Sequence, residues 1–240
     1  ISEILPRTNH MLRQSVKRTG HASVLAANID QVLIMATLKQ PRTSLGFIDR
    51  VLVSAESFRI PQVILFNKKD LLNEREAEEL EHVLALYQSI GVLTESISAQ
   101  EDESIEIVER ILNGKVSLIA GHSGVGKSTL LNRLSPDFKQ STGAISGYSE
   151  KGTHTTTFAE MLEVNATTFI IDTPGIKEWG LVDMEQQEIS DYFPEMRSLR
   201  LECKFGSRCL HISEPKCAVK DAFEKNLIAP SRYDSYLSMV

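Results

Sequence analysis

The sequence predicts a doubly wound α/β domain with a mostly parallel sheet, followed by a small, mainly helical C-terminal domain. Three observations predict it. From residue 30 to about 185, apolar runs of strand length alternate with amphipathic stretches of helical period, as a parallel sheet with crossover helices requires. A Gly-rich G-x-x-x-x-G-K-S pattern, 121–128, lies between one such run and one such helix. The alternation stops near residue 185, and the 3 cysteines all lie beyond it, at 203, 209 and 217.

The elements follow in order. Val32 to Ala36 reads as a buried strand, and 45–59 as a helix. Pro61 then introduces a strand from Gln62 to Phe66. Residues 73–90 form an amphipathic helix, with Asn73 placed to cap its start and Gly91 to end it. A strand at 92–98, a helix at 103–113 and a strand at 116–120 come next. The Gly-rich loop opens a helix that runs to Leu134. Residues 140–157 are rich in Gly, Ser and Thr without periodicity and are expected as a loop. Strands at 158–164 and 167–171 bring the expected sheet to six. The expected division is an N-terminal segment 1–20, an α/β domain 21–185 and a C-terminal domain 186–240.

Bulk composition excludes several classes. The chain has 240 residues, 42% hydrophobic and 24% charged, with net charge −6, so the whole protein is not a basic nucleic-acid binder. Basic residues do gather locally, as Arg7, Arg13, Lys17 and Arg18 do near the start. No apolar run approaches the ~18 residues that span a bilayer, and no secretory signal is visible, so no membrane partner and a cytoplasmic location are expected. An odd number of cysteines does not make a disulfide framework.

Gly121-His122-Ser123-Gly124-Val125-Gly126-Lys127-Ser128, followed by Thr129, has the residues a phosphate chain needs. Glycines let backbone N–H groups converge on phosphate oxygens, and the helix start adds positive potential. Lys127 can reach the β- and γ-phosphates, and the Ser128 hydroxyl can ligate Mg²⁺. Asp172-Thr173-Pro174-Gly175 follows an apolar strand: Asp172 is a second candidate for Mg²⁺ and the Gly175 N–H for sensing the γ-phosphate. Between them lies G-T-H-T-T-T, 152–157, whose threonines, Thr155 and Thr156 among them, are candidates to close over the metal.

A candidate base site lies upstream. Asn67-Lys68-Lys69-Asp70 ends a buried strand and matches the N-K-x-D pattern with which GTPases grip guanine. A carboxylate at Asp70 accepts from N1–H and the 2-amino group of guanine, donors that adenine lacks. Ser98-Ala99, about thirty residues on, resembles the loop whose backbone N–H reads the guanine oxygen. In ordinary GTPases the tetrad follows the phosphate loop; here it precedes it. Spacing within each block is normal and only their order is exchanged. Sites of parallel α/β sheets are built from loops at the strands' carboxyl ends, so a circular permutation leaves such a site intact.

These motifs, together with Asn28-Ile29-Asp30-Gln31 and Cys203, Cys209, His211 and Cys217, resemble the RsgA (YjeQ) family of bacterial circularly permuted GTPases over essentially the whole chain. The resemblance implies binding and hydrolysis of GTP to GDP with Mg²⁺, a role in late maturation of the small (30S) ribosomal subunit, stimulation by that subunit, and the subunit and its rRNA as partners. Residues 5–9, L-P-R-T-N, resemble the exit from the family's N-terminal OB-fold domain, which is expected to be absent or upstream of Ile1. Three thiolates and an imidazole in C-x5-C-x-H-x5-C suit a closed tetrahedral Zn²⁺ site that holds a small domain together. A monomer is expected.

Ile176 stands where Ras-like enzymes carry the Gln that orients the attacking water, and His154 is the candidate replacement, with an inert loop histidine as the alternative. The exchanged order also feeds D-T-P-G directly into the cysteine-bearing domain, through which the γ-phosphate is expected to gate affinity for the ribosomal particle. Two other classes share part of the pattern. A P-loop ATPase or kinase has no need of Asn67 and Asp70. A zinc-dependent nucleic-acid-binding module with a vestigial nucleotide site would bind RNA regardless of GTP.

Overall fold

The computed structural model describes residues 6–14, 22–135, 159–173 and 179–240. Its main sheet has six strands: β3 (Gln31–Ala36), β4 (Gln62–Phe66), β5 (Leu93–Ser96), β6 (Val116–Ala120), β7 (Glu160–Asn165) and β8 (Thr168–Asp172). Their spatial order is β5-β4-β3-β6-β8-β7, all parallel except β7, which runs antiparallel to β8. The chain thus winds outward from β3 through β4 to β5 on one side, and on the other passes from β6 to the edge strand β7 and back to β8 between them. The seam between the two windings is the β3·β6 pair, and each exchanged sequence block occupies one side of it.

Both faces of the sheet are covered. Val32, Ile34 and Ala36 pack on one side with α1 (Leu45–Glu56) and α2 (Glu74–Ser89). Leu33 and Met35, on the alternate positions, pack on the other with α3 (Asp102–Leu112) and α4 (Lys127–Leu134). Burial on both sides explains why these strands are continuously apolar rather than alternating. Asn73 caps α2 through a reciprocal pair with Glu76, and Gly91 at φ +84° follows it, as the sequence suggests. α1 ends at Glu56, three residues before the expected end, where Phe58, Arg59 and Ile60 turn back onto Ala55 and Glu56 with Arg59 at φ +53°.

Two elements had no counterpart in the sequence reading. β1 (His10–Gln14) and β2 (Ala22–Ala27) form a separate antiparallel ribbon, and Met11 is buried in the core that α1 and α2 cover. Beyond the sheet come four short helices, α5 (Gln186–Ile189), α6 (Pro194–Arg197), α7 (Ala218–Glu224) and α8 (Pro230–Leu237), around a third cluster that includes all three cysteines. This C-terminal part is bolted to α1. Arg232 of α8, 1% exposed, pairs with the fully buried Asp49 of α1 and with Glu195 of α6, and Asp49 also accepts from the Tyr87 hydroxyl of α2 at 2.9 Å. Around it, Arg197 and Arg59 pair with Glu56, and Trp179 donates to Ser54 at 2.9 Å.

Candidate guanine-nucleotide site

The loops after β4, β5 and β6, and the end of β8, meet around the point where the winding direction reverses, which is where ligands bind in open α/β sheets. One side chain joins three of the sequence motifs. Asn67, buried at the end of β4, donates to the Val125 carbonyl of the phosphate loop at 2.8 Å. Its amide oxygen accepts from the Ala99 N–H at 2.9 Å. The tetrad, the Ser98-Ala99 loop and the phosphate loop, far apart in sequence, are therefore one structure.

The phosphate loop shows why its glycines are needed. A Cβ on Gly121 would lie 2.5 Å from the Met35 carbonyl of β3, across the seam. Gly126 has φ +101°, and a Cβ there would lie 2.2 Å from Asn67 Nδ2. The loop can close on β3 and on the tetrad only because both positions lack side chains. Lys127 opens α4; its ammonium donates to the Gly121 and His122 carbonyls at 2.6 and 3.0 Å. Burial lowers its pKa, and nearby Asp172 partly opposes that shift. A polyphosphate would supply the negative charge this half-desolvated ammonium lacks.

Asp172, at the end of β8, has its pKa raised by burial, against the pull of Lys127. Its Oδ1 is buried and has no hydrogen-bond partner among the described residues. Such a carboxylate oxygen near Lys127, with the Ser128 residue that follows it exposed, fits a hard divalent cation such as Mg²⁺. Thr173 is buried and donates to the Ile119 carbonyl at 2.9 Å, fixing the start of the D-T-P-G turn against β6. Ser123, Gly124 and Thr129 are exposed, and the His122 ring packs at 4.0 Å on Phe47 of α1.

On the base side, Lys68 has φ +69° and precedes the short 3-10 turn Lys69–Leu71. Its ammonium donates to the Gln40 carbonyl. Lys69 pairs with Glu101 at 2.8 Å, and Asp70 is exposed at the rim, open to an approaching base. The Ser98 N–H is held by the Ser104 hydroxyl at 3.0 Å, so the loop presents its backbone in a fixed direction. His154, Thr155, Thr156 and Gly175 lie outside the described residues, as does the whole segment 140–157.

A second constellation lies in the C-terminal part. Cys203, Cys209, His211 and Cys217 are all buried, with one ligand atom from each within 4.8 Å of the others. His211 Nδ1 lies 3.3 Å from Cys217 Sγ and 3.6 Å from Cys203 Sγ, facing inward. The Lys220 N–H at the start of α7 points at Cys217 Sγ, 3.4 Å away, as suits a thiolate. Glu214 accepts from the N–H groups of Leu210, Ile212 and Ser213, while Tyr233 and Tyr236 donate to the carbonyls of His211 and Leu210. The loop is thus held open around a point. Burial pushes the Cys217 thiol up to about 12 and His211 down to about 4. Three buried thiols and an imidazole around one point fit a thiophilic dication, which would supply the charge that makes thiolates stable there.

Fold and site define a circularly permuted P-loop GTPase: a GTPase sheet whose base-reading half precedes its phosphate-binding half. A family model described as RsgA GTPase matches residues 4–182, and the chain belongs to that family. It is 48% identical over 240 residues to "Small ribosomal subunit biogenesis GTPase RsgA 2" of Bacteroides thetaiotaomicron, covering 77% of that protein. It is equally 48% identical to a Cytophaga hutchinsonii protein named small ribosomal subunit biogenesis GTPase RsgA, covering 78% of it. Among solved structures, YjeQ from Thermotoga maritima superposes with TM-score 0.76 at 33% identity, over 99% of this chain and 76% of that one. YloQ, described as a circularly permuted GTPase, superposes with TM-score 0.73 at 27% identity, over 99% and 80%. The chain is a GTP hydrolase. Among the described residues, no helix is long and apolar enough to cross a membrane.

Proposed function

We propose that this GTPase acts in late maturation of the small ribosomal subunit, in the cytoplasm, as a monomer that binds the subunit and its rRNA and whose turnover the subunit stimulates. The relatives' names support the partner. The observation that supports the site assignment is Asn67, whose two hydrogen bonds hold the tetrad, the Ala99 loop and the phosphate loop together. In this reading Asp70 accepts from the guanine edge, the Lys68 stem covers a ring face, and the Ala99 loop N–H groups meet the guanine oxygen. Gly121 to Thr129 wrap the phosphates. Lys127 turns its ammonium from the loop's own carbonyls toward the β- and γ-oxygens, stabilising charge as the γ-phosphoryl passes to water and GDP leaves.

Ser128 and Asp172 would hold Mg²⁺, which when bound neutralises charge on the β- and γ-oxygens. His154 orients the water, with Thr155 or Thr156 completing the closed loop and the Gly175 N–H meeting the γ-phosphate. Cys203, Cys209, His211 and Cys217 hold Zn²⁺ structurally. Trp179, just beyond the D-T-P-G switch, is buried against Ser54 of α1, the helix that Arg232 clamps. That continuity supports transmission from the γ-phosphate to the C-terminal domain.

The test is GTP turnover with and without purified small ribosomal subunits, plus binding of the GTP- and GDP-loaded forms to them. Stimulation and tighter binding of one form are expected. Equal affinity of both forms would remove the gating claim, and absence of stimulation the partner. His154→Ala is expected to lower stimulated turnover while leaving GTP binding intact.

A further inference from the structure

The loop between β3 and α1, Thr37 to Thr43, belongs to none of the nucleotide motifs, yet it touches both halves of the site. It leaves β3 at the seam where the two windings meet. It is closed on itself: Thr37 N–H donates to Thr43 Oγ1 at 3.1 Å, Thr43 N–H to the Thr37 carbonyl at 2.9 Å, and the Thr37 hydroxyl to the Pro41 carbonyl. Both threonines are buried. So clasped, the loop extends three contacts. The Gln40 carbonyl takes the Lys68 ammonium. The Pro41 ring stands 3.4 Å from where a Cβ on Gly124 would be. Lys39 pairs with Glu76, the residue that closes the cap of α2.

We infer that Thr37 is a positioning residue for nucleotide binding: its hydroxyl holds the Pro41 carbonyl, and with it the neighbouring Gln40 carbonyl, so that Gln40 fixes Lys68 as a wall for the base. A lysine side chain carries about 2 kcal/mol of rotamer freedom, so an untethered Lys68 would have to be ordered at each binding event. Tying its ammonium to a carbonyl outside the base position removes that loss beforehand and leaves the methylene stem extended along the site. The tether needs a carbonyl in one place. The Thr37–Thr43 clasp fixes that place, beside a cavity of about 200 Å³ lined by Lys39, Gln40, Asn67, Lys68, Leu71 and Leu72. Removing the Thr37 hydroxyl lets the peptide drop toward that space and frees Lys68.

The inference rests on the guanine-site reading of Lys68, and a double-mutant cycle separates the two. GDP dissociation constants are measured by titration calorimetry for the wild type, Thr37→Val, Lys68→Ala and the double variant. Thr37→Val, which keeps the shape and loses the donor, is expected to weaken GDP about tenfold, with kcat at saturating GTP changed less than twofold. Thr37→Ser, which restores the hydroxyl, is expected within twofold of the wild type. In the Lys68→Ala background the Thr37→Val effect is expected to shrink below twofold. An undiminished effect there would show that the loop acts otherwise than through Lys68 and overturn the inference. If Lys68→Ala alone leaves GDP binding unchanged, the base-site reading itself fails. Should Thr37→Val not fold, Thr43→Val opens the same clasp and is expected to show the same non-additivity; full additivity would overturn the inference equally.

Discussion

Replacing Asn67 by Ala removes a buried side chain that ties the two exchanged blocks together at the site. The Ala99 N–H and the Val125 carbonyl, in residues 3% and 0% exposed, then lose their partners. Each buried group left unsatisfied costs about 1–3 kcal/mol, so the two together cost about 2–6 kcal/mol, with water entering the gap keeping the loss near the lower end. Because the strain falls on loops that a nucleotide must find already assembled, most of it is expected in binding. A loss of about 3 kcal/mol is roughly a hundredfold in affinity.

Asn67→Asp sharpens the test. It keeps an acceptor for Ala99 but sets a carboxylate oxygen against the Val125 carbonyl, where a donor stood at 2.8 Å. It is expected to weaken GDP at least as much as Ala does, although it changes a single atom. Gly126→Ala belongs to the same unit, since its Cβ would collide with Asn67 Nδ2 at 2.2 Å. Its effect is expected to be smaller in the Asn67→Ala background, where the collision is gone and only the positive-φ strain remains. The assay is fluorescence titration with a labelled GDP, with urea melts of the nucleotide-free protein to separate global stability. GDP affinity within twofold of the wild type for both Asn67 variants would refute the reasoning.

Other outcomes follow from the C-terminal attachment. Arg232→Met strands the buried Asp49 carboxylate and is expected to cost about 3–5 kcal/mol in urea melts, most of which Asp49→Leu in the same chain should restore. Zinc analysis is expected to find one ion per chain. Stripping it with a chelator should loosen the Cys203–Cys217 loop to proteolysis while leaving GDP affinity within about threefold. Burial alone would raise the Glu56 carboxyl, but hydrogen bonds from Arg59, Arg197 and Gln62 outweigh it and hold its pKa below the ordinary 4.5. The stability this gives is present above pH 4.5 and is lost as the pH falls through the lowered value. Glu56→Gln should therefore reduce the urea midpoint near neutrality and flatten its fall in acid.

The central sheet was legible because β3, β4 and β6 are buried on both faces and the elements are bounded by punctuation: Pro61 before β4, Asn73 and Gly91 around α2, the glycines after β6. The exchanged order of the motifs was legible too, because spacing inside each block is preserved. What could not be read are features without a local pattern. β1 and β2 are short, and β1 mixes Met11 and Leu12 with Arg13 and Gln14, so neither periodicity nor a tight turn marks the ribbon. α1 reads as continuing past Glu56 because nothing in Ser57-Phe58-Arg59 forbids a helix; the left-handed Arg59 ends it. The Asp49–Arg232 pair joins positions 183 residues apart, a distance over which no sequence pattern operates. The Thr37–Thr43 loop looks like an ordinary turn, and its role comes only from where the β3·β6 seam puts it.

The proposed guanine clamp is built from a tetrad that precedes its phosphate loop. Its most direct test is the affinity of GDP, ADP and xanthosine diphosphate for the wild type and for Asp70→Asn. The wild type is expected to prefer GDP over ADP by at least about a thousandfold, because ADP leaves the carboxylate without donors. Asp70→Asn is expected to lose GDP and gain xanthosine diphosphate, whose 2-oxo group accepts what the new amide donates. An Asp70→Asn variant that binds GDP as the wild type does would contradict it.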